Sequence, residues 1–197
     1  MEQISLYFGT PISKSIIKSD LEEYVMDMSK SDEGVQISNR GGWQSKPFFK
    51  PEKEFELLWA EIEEKINMYH HTIELKGGVR ISDLWFNVNY RGSANRQHQH
   101  ANSIHSGVYY IKTPEKCGAL KIKDPRTGAE MVSPKMKEGF NHTGTAPQRL
   151  WREVHYEPMA GRCIMFPAWL IHGVDPNESN DIRISVSFNF LQKTMFI

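Results

Sequence analysis

Three of the eight histidines in this 197-residue chain, His98, His100 and His105, fall within one short window. In an extended backbone successive side chains alternate, so His98 and His100 would project to one side and their imidazoles could converge on one metal ion. The same pair also fits a polar strand end with two solvent-facing histidines. His105 directly precedes the apolar run Ser106-Gly107-Val108-Tyr109-Tyr110-Ile111 and reads as a non-ligand. A further histidine, His172, sits among Leu170, Ile171 and Val174, where a satisfied core histidine is the alternative to a ligand. Downstream, Arg183 and Ser185 share one face of the run Arg183-Ile184-Ser185-Val186-Ser187-Phe188-Asn189, opposite Ile184 and Val186. A guanidinium turned inward is costly unless a carboxylate answers it.

These residues need a scaffold, and the hydrophobic pattern supplies one. Ser19-Asp20-Leu21-Glu22 has the form of a capping box, followed by Leu21, Tyr24, Val25 and Met28 on one helical face. Asn39 to Ser45, broken by Gly41 and Gly42, reads as a loop. A second helix begins near Pro51, with Phe55, Leu58, Trp59, Ile62, Ile66 and Tyr69 at helical spacing, and should cover a sheet. From residue 80 the period becomes two, predicting strands near 81–90, 105–113, 118–123, 149–156, 162–166, 169–174 and 182–191. Helices followed by many short strands predict a β-sandwich or barrel buttressed on one side, and not a βαβ array. The long polar stretch 124–147 reads as a lid or binding loop. Gly107 and Gly161 read as a close approach and a turn.

Composition bounds the function. Lysine plus arginine and aspartate plus glutamate both number 24, so the formal charge is zero and nothing argues for nucleic acid or an anionic membrane as partner. Cys117 and Cys163 form no CxxC pattern, which fits a reducing, cytoplasmic setting and offers no thiolate metal site. No apolar run reaches the roughly 18 residues a membrane span requires. The N-terminal sequence lacks the layout of a signal peptide, so the mature chain is expected to begin near Met1.

Four motifs in order resemble one family. They are His98 to Tyr110 (HxHxxSxxSGVYY), Gly118 to Arg126 (GALKIKDPR), Phe166 to Val174 (FPAWLIHGV) and Arg183 to Asn189 (RISVSFN), preceded by SNRGGWQS at Ser38 to Ser45. This pattern resembles the 2-oxoglutarate/Fe(II) oxygenases found widely in marine bacteria and their phages. The resemblance implies a mainly β fold with N-terminal helices, a double-stranded β-helix of jelly-roll, cupin-like form. It also implies a single domain over residues 1–197, helical at about 15–70 and with its β-helix core at about 80–191.

The resemblance further implies Fe(II) and 2-oxoglutarate as cofactors, with His98, His100 and His172 as metal ligands. The superfamily spacing is HxD or HxE with a distal histidine about ten residues before the cosubstrate arginine, so His100 stands where a carboxylate is usual. Asp124 is the reserve carboxylate, its alternative role being to organise the KDPR turn. Arg183, Ser185 and Tyr110 are implied to bind the distal carboxylate of 2-oxoglutarate, while Tyr109, on the other face, packs. Trp85 and Asn87, and Trp43 and Gln44, are candidate substrate contacts, with core packing as the alternative. The expected reaction is dioxygen-dependent hydroxylation of a small molecule or protein side chain, with 2-oxoglutarate decarboxylated to succinate. A homodimer is compatible with the sequence. Two other classes stay open: a cupin-like three-histidine metalloenzyme without 2-oxoglutarate, and a non-catalytic barrel that binds a small acid or a partner protein.

Overall fold

The computed structural model describes residues 8–128, 138 and 152–193. In chain order its elements are β1 (Ser13–Ile16), α1 (Glu22–Ser31), β2 (Asn39–Arg40), β3 (Trp43–Gln44), a 3-10 turn (Lys53–Phe55), α2 (Glu56–Thr72), β4 (Val79–Asn89), β5 (Ala94–His98), β6 (His105–Lys112), β7 (Leu120–Lys123), β8 (Glu153–Tyr156), β9 (Arg162–Pro167), β10 (His172–Val174) and β11 (Arg183–Gln192). The strands form two antiparallel sheets. One has the order β1-β9-β6-β11-β4-β3 and the other β2-β5-β10-β7-β8.

The larger sheet has two faces of different chemistry. Its outer face carries Leu84, Phe86, Val88, Ile184, Val186 and Phe188, which pack with Val25 of α1 and with Leu58, Trp59, Ile62 and Ile66 of α2. The helical spacing read from the sequence therefore marks the stripe that covers this sheet. On its inner face, Tyr110, Ile164 and Phe166 meet Leu120 and Ile122 of the smaller sheet in a second apolar cluster. The rest of the inner face, along β4 and β11, is polar. Because β11 lies between β4 and β6 it is buried on both sides, so its alternation separates core from cavity and not core from solvent.

Several local expectations are corrected. The Ser19–Glu22 pattern does not cap α1, which begins after Leu21 with no side-chain cap hydrogen bond. Glu22 instead accepts from Lys112 Nζ at 3.0 Å and ties the helix to β6. The segment at residues 39–45 is not only loop: β2 joins the smaller sheet and β3 the larger. Gly41 and Gly42 (φ +64° and +71°) carry the chain between them, and a Cβ at Gly42 would sit 2.6 Å from the Val88 carbonyl oxygen. Strands β1 and β5 lack a readable hydrophobic period. β10 starts only at His172, because residues 168–170 complete a turn in which Leu170 N–H bonds the Pro167 carbonyl. Most of the 124–147 segment, and residues 149–151 of an expected strand, lie outside the described residues.

Gly107 is a close approach. A Cβ there would fall 2.4 Å from the Phe188 ring and 2.6 Å from the Ile164 carbonyl oxygen.

Candidate metal centre

His98 closes β5 and His172 opens β10, and the two are register partners across that strand pair. His100 lies just beyond β5, where its backbone N–H bonds the Ala168 carbonyl oxygen at 3.0 Å and so docks the segment against the β9–β10 turn. The three rings converge. Their centroids are 4.4 Å (His98–His172), 4.9 Å (His98–His100) and 5.1 Å (His100–His172) apart. One nitrogen from each lies within 4.8 Å of the others, a group that could hold a metal ion.

The hydrogen bonds around the rings fix which nitrogen is free. His98 Nδ1 faces the Arg96 carbonyl oxygen at 2.7 Å and His172 Nδ1 faces that of Leu170 at 2.9 Å. A carbonyl only accepts, so each Nδ1 carries the proton and each Nε2 keeps its lone pair, the arrangement a metal-binding imidazole requires. Burial, then the neighbouring His98, hold His100 down to about 4. His172 is held down to about 3 by burial and then by His98. These two rings are therefore neutral donors at physiological pH.

Asp124 is not in this group. Its carboxylate is taken by Arg126, through Nε at 2.9 Å and Nη2 at 2.8 Å, with Arg152 Nη1 at 3.4 Å. The KDPR turn absorbs it.

A cavity runs from the histidines inward to Arg183, Ser185 and Tyr110. These three belong to adjacent strands: Ser185 pairs with Tyr110 on one side and with Asn87 on the other. Arg183 is 2% exposed and has no carboxylate partner among the described residues. One guanidinium nitrogen, Nη1, donates to the Cys117 and Gly118 carbonyl oxygens at 2.7 and 2.9 Å, while Nε has no partner. Burial presses its pKa down. Burial also pushes Tyr110 up to about 12, so its phenol stays a donor. A buried guanidinium with no carboxylate partner among the described residues could accommodate an anion.

Trp85 and Asn87 line this cavity, with the Trp85 ring 5.9 Å from that of His100 and Asn87 Nδ2 donating to Ser187 Oγ at 3.1 Å. Gln44 lines an adjoining groove. Trp43 does not reach either space: it packs in the main core and its Nε1 donates to the Asp32 carbonyl oxygen at 2.8 Å. Tyr109 is likewise in that core. Ser187 was missed by sequence reading, although the alternation that selects Arg183 and Ser185 extends to it directly.

A family model described as "Putative 2OG-Fe(II) oxygenase" matches residues 83–189, more than half of the chain. The chain belongs to the 2OG-Fe(II) oxygenase family. Its cofactors are accordingly Fe(II) and 2-oxoglutarate, and dioxygen and an oxidisable substrate complete the reactants of the family. No curated protein matches the chain in sequence.

Two solved structures share this fold. A Pseudomonas putida prolyl-4-hydroxylase superposes with TM-score 0.58 at 14% identity, over 93% of this chain and 94% of that one. A viral collagen prolyl hydroxylase from Paramecium Bursaria Chlorella virus-1, solved with 2-oxoglutarate, gives 0.55 at 15% identity, over 91% and 94%. A 2OG-Fe(II) oxygenase family oxidoreductase from Burkholderia pseudomallei matches at 12% identity over 68% of this chain, which spans 54% of that longer protein, with TM-score 0.48. At these identities the likeness is one of fold.

The residues fit both cofactors. Three converging imidazoles, two of them with Nδ1 bonded to a carbonyl, suit a divalent first-row metal, and a buried guanidinium with no carboxylate partner among the described residues suits a dicarboxylate. Among the described residues no helix is long and apolar enough to cross a membrane.

Proposed function

We propose that residues 1–197 form one double-stranded β-helix domain that hydroxylates a C–H bond of a small molecule or protein side chain. The overall conversion takes 2-oxoglutarate, dioxygen and substrate to succinate, carbon dioxide and the hydroxylated product. His98, His100 and His172 hold Fe(II). When bound, the iron with its chelating 2-oxo acid supplies the oxidising chemistry.

The chain's own work is positional. The Arg96 and Leu170 carbonyls lock two imidazole rings in the ligating tautomer. Arg183, Ser185 and Tyr110, which line the same cavity as the histidines, would hold the distal carboxylate of the cosubstrate. Phe166, whose ring lies 4.8 Å from that of His172, would shield a metal held there from water on the core side. Trp85 and Asn87 line the cavity beside the histidines, where Trp85 would meet the substrate.

The observation that carries this reading is Arg183, fully buried in the cavity that the histidines also line, with Nε unpartnered and no carboxylate among the described residues to answer it. His100, standing where a carboxylate is usual, favours a second reading, a cupin-like metalloenzyme that uses no 2-oxoglutarate. A buried cationic clamp has no evident purpose in that alternative. The deciding experiment is aerobic turnover of the Fe(II)-loaded protein: succinate should form from 2-oxoglutarate even without prime substrate, and pyruvate, lacking the distal carboxylate, should be a poor replacement. Equal consumption of both acids would favour the second reading.

A further inference from the structure

Beyond the cosubstrate cavity, on the other side of His98 and His100, lies a second space of about 400 Å³. It shares Ser38, Trp85, His98 and His100 with the inner cavity, so the two meet at the metal centre. Resting on the oxygenase reading, we propose that this groove is the prime-substrate site and that it takes a substrate with an ammonium or guanidinium head, seated on Asp83.

The case begins with how Asp83 is held. It lines the groove as a half-buried carboxylate, and none of the ion pairs among the described residues includes it. Neutral donors orient it instead. Ser82 Oγ donates to Oδ1 at 2.6 Å and Asn189 Nδ2 donates to Oδ2 at 2.9 Å. Asn189 is itself fixed, because its Oδ1 accepts from the buried Ser106 Oγ at 2.7 Å. Asp83, Asn189 and Ser106 are register partners across β4, β11 and β6, and a bulge follows at Asn189/Phe190. Bulges commonly re-aim a side chain beside a site. An ionised carboxylate offers about four acceptor positions, so at least two remain for a ligand.

A second, independent feature points the same way. Gln44, 4% exposed, lines the same groove, and its Oε1 is an acceptor with no hydrogen-bond partner. The groove thus presents a carboxylate with no cation paired to it among the described residues, and a buried amide oxygen without a donor. The cation in its lining, Arg96, is exposed at the rim.

Geometry also sets the length of the substrate. Trp85 lies two residues along the same face from Asp83 and its ring reaches His100. Two residues of strand span about 7 Å. A head group on Asp83 would therefore place a carbon several bonds away beside Trp85 and the iron, the reach of a lysine or arginine side chain or of a free amine with a comparable stem.

Calorimetry with n-butylguanidinium, n-butylammonium and n-butyrate tests this on the whole protein, with and without Fe(II) and 2-oxoglutarate. The cations should saturate a single site and bind at least about tenfold more tightly than butyrate, as expected for hydrogen bonds to a charged group. Asp83→Asn should lose that preference while keeping the parent's melting temperature. Butyrate binding as well as the cations, or an unchanged preference in Asp83→Asn, would overturn the proposal. Should Asp83→Asn not fold, the cation-over-anion preference of the parent decides by itself. Cation binding in a protein that gives no succinate would fail the oxygenase reading and leave the charge specificity of the groove standing. Free L-arginine against N-acetyl-L-arginine amide then separates a metabolite from a protein side chain, the latter favoured if blocking both backbone charges strengthens binding.

Discussion

His172 faces His98 directly across the β5–β10 pair, with ring centroids 4.4 Å apart, so a single register brings together ligand candidates from two distant motifs. A one-residue slip would turn one of them to the other face of the sheet. Replacing His98 or His172 with alanine should abolish stoichiometric Fe(II) binding and leave the far-UV circular dichroism spectrum intact, since each stands at the end of its strand. A variant that still binds iron as the parent does would remove that residue from the ligand set.

No carboxylate among the described residues joins the group, and His100 is its third member. His100→Asp should keep Fe(II) binding and keep or raise the decarboxylation rate, because a carboxylate lowers the net charge of the iron complex. Unchanged iron affinity in both His100→Asp and His100→Ala would place the third ligand elsewhere.

Arg183 yields a paired prediction. Arg183→Met should raise the KM for 2-oxoglutarate by about 1.5 to 3.5 orders of magnitude, from the roughly 2–5 kcal/mol lost when one member of a desolvated charge pair is removed. Without cosubstrate the same variant should be no less stable than the parent, since a well-packed apolar side chain replaces an uncompensated buried cation. Thermal melts read the second half: 2-oxoglutarate with metal should raise the parent's Tm and not the variant's. A strongly destabilised Arg183→Met would make the arginine structural.

Much of this was legible because the relevant signals are local. The alternation around Arg183 and Ser185, the HxH spacing and the stripe from Phe55 to Tyr69 all survive into the structure as shared faces. What was not legible depends on tertiary pairing. β5 has a polar sequence, Ala94-Asn95-Arg96-Gln97-His98, and owes its extended form to β10 and β2. The role of Gly41 and Gly42 as a crossing between sheets follows only once β2 and β3 have partners. For Trp43 the sequence leaves substrate contact and core packing both open, because the Asp32 carbonyl that accepts from its Nε1 comes from the end of α1, a tertiary neighbour. Asp83 and Asn189 lie more than a hundred residues apart and become a pair only through β4–β11 register.

A buried histidine pair makes stability depend on pH. His70 Nε2 faces the Lys76 carbonyl oxygen at 3.2 Å and must carry a proton, so His70 Nδ1 accepts from His105 Nε2 at 3.1 Å. His105 Nδ1 is then left bare and buried without a partner. Burial, then His70, hold His105 down to about 4. Unfolding restores an ordinary value near 6.5. Between those values the unfolded chain binds the extra proton, so the contribution is complete above about pH 6.5 and is lost as pH falls toward 4. Urea midpoints should decline over that window, and the His105 ring resonance should not titrate above about pH 5. A His105 that titrates near 6.5 would contradict the tautomer assignment.

The central claim, that three histidines and Arg183 together assemble an iron and 2-oxoglutarate site, is tested most directly by anaerobic titration followed in the visible. Fe(II) alone and 2-oxoglutarate alone should leave the spectrum featureless, and the two together should produce a weak charge-transfer band that saturates at one equivalent of iron. Arg183→Met should need far more 2-oxoglutarate to reach it, and His98→Ala should not reach it at all. Tight Fe(II) binding by the parent with no band at saturating 2-oxoglutarate would contradict the account.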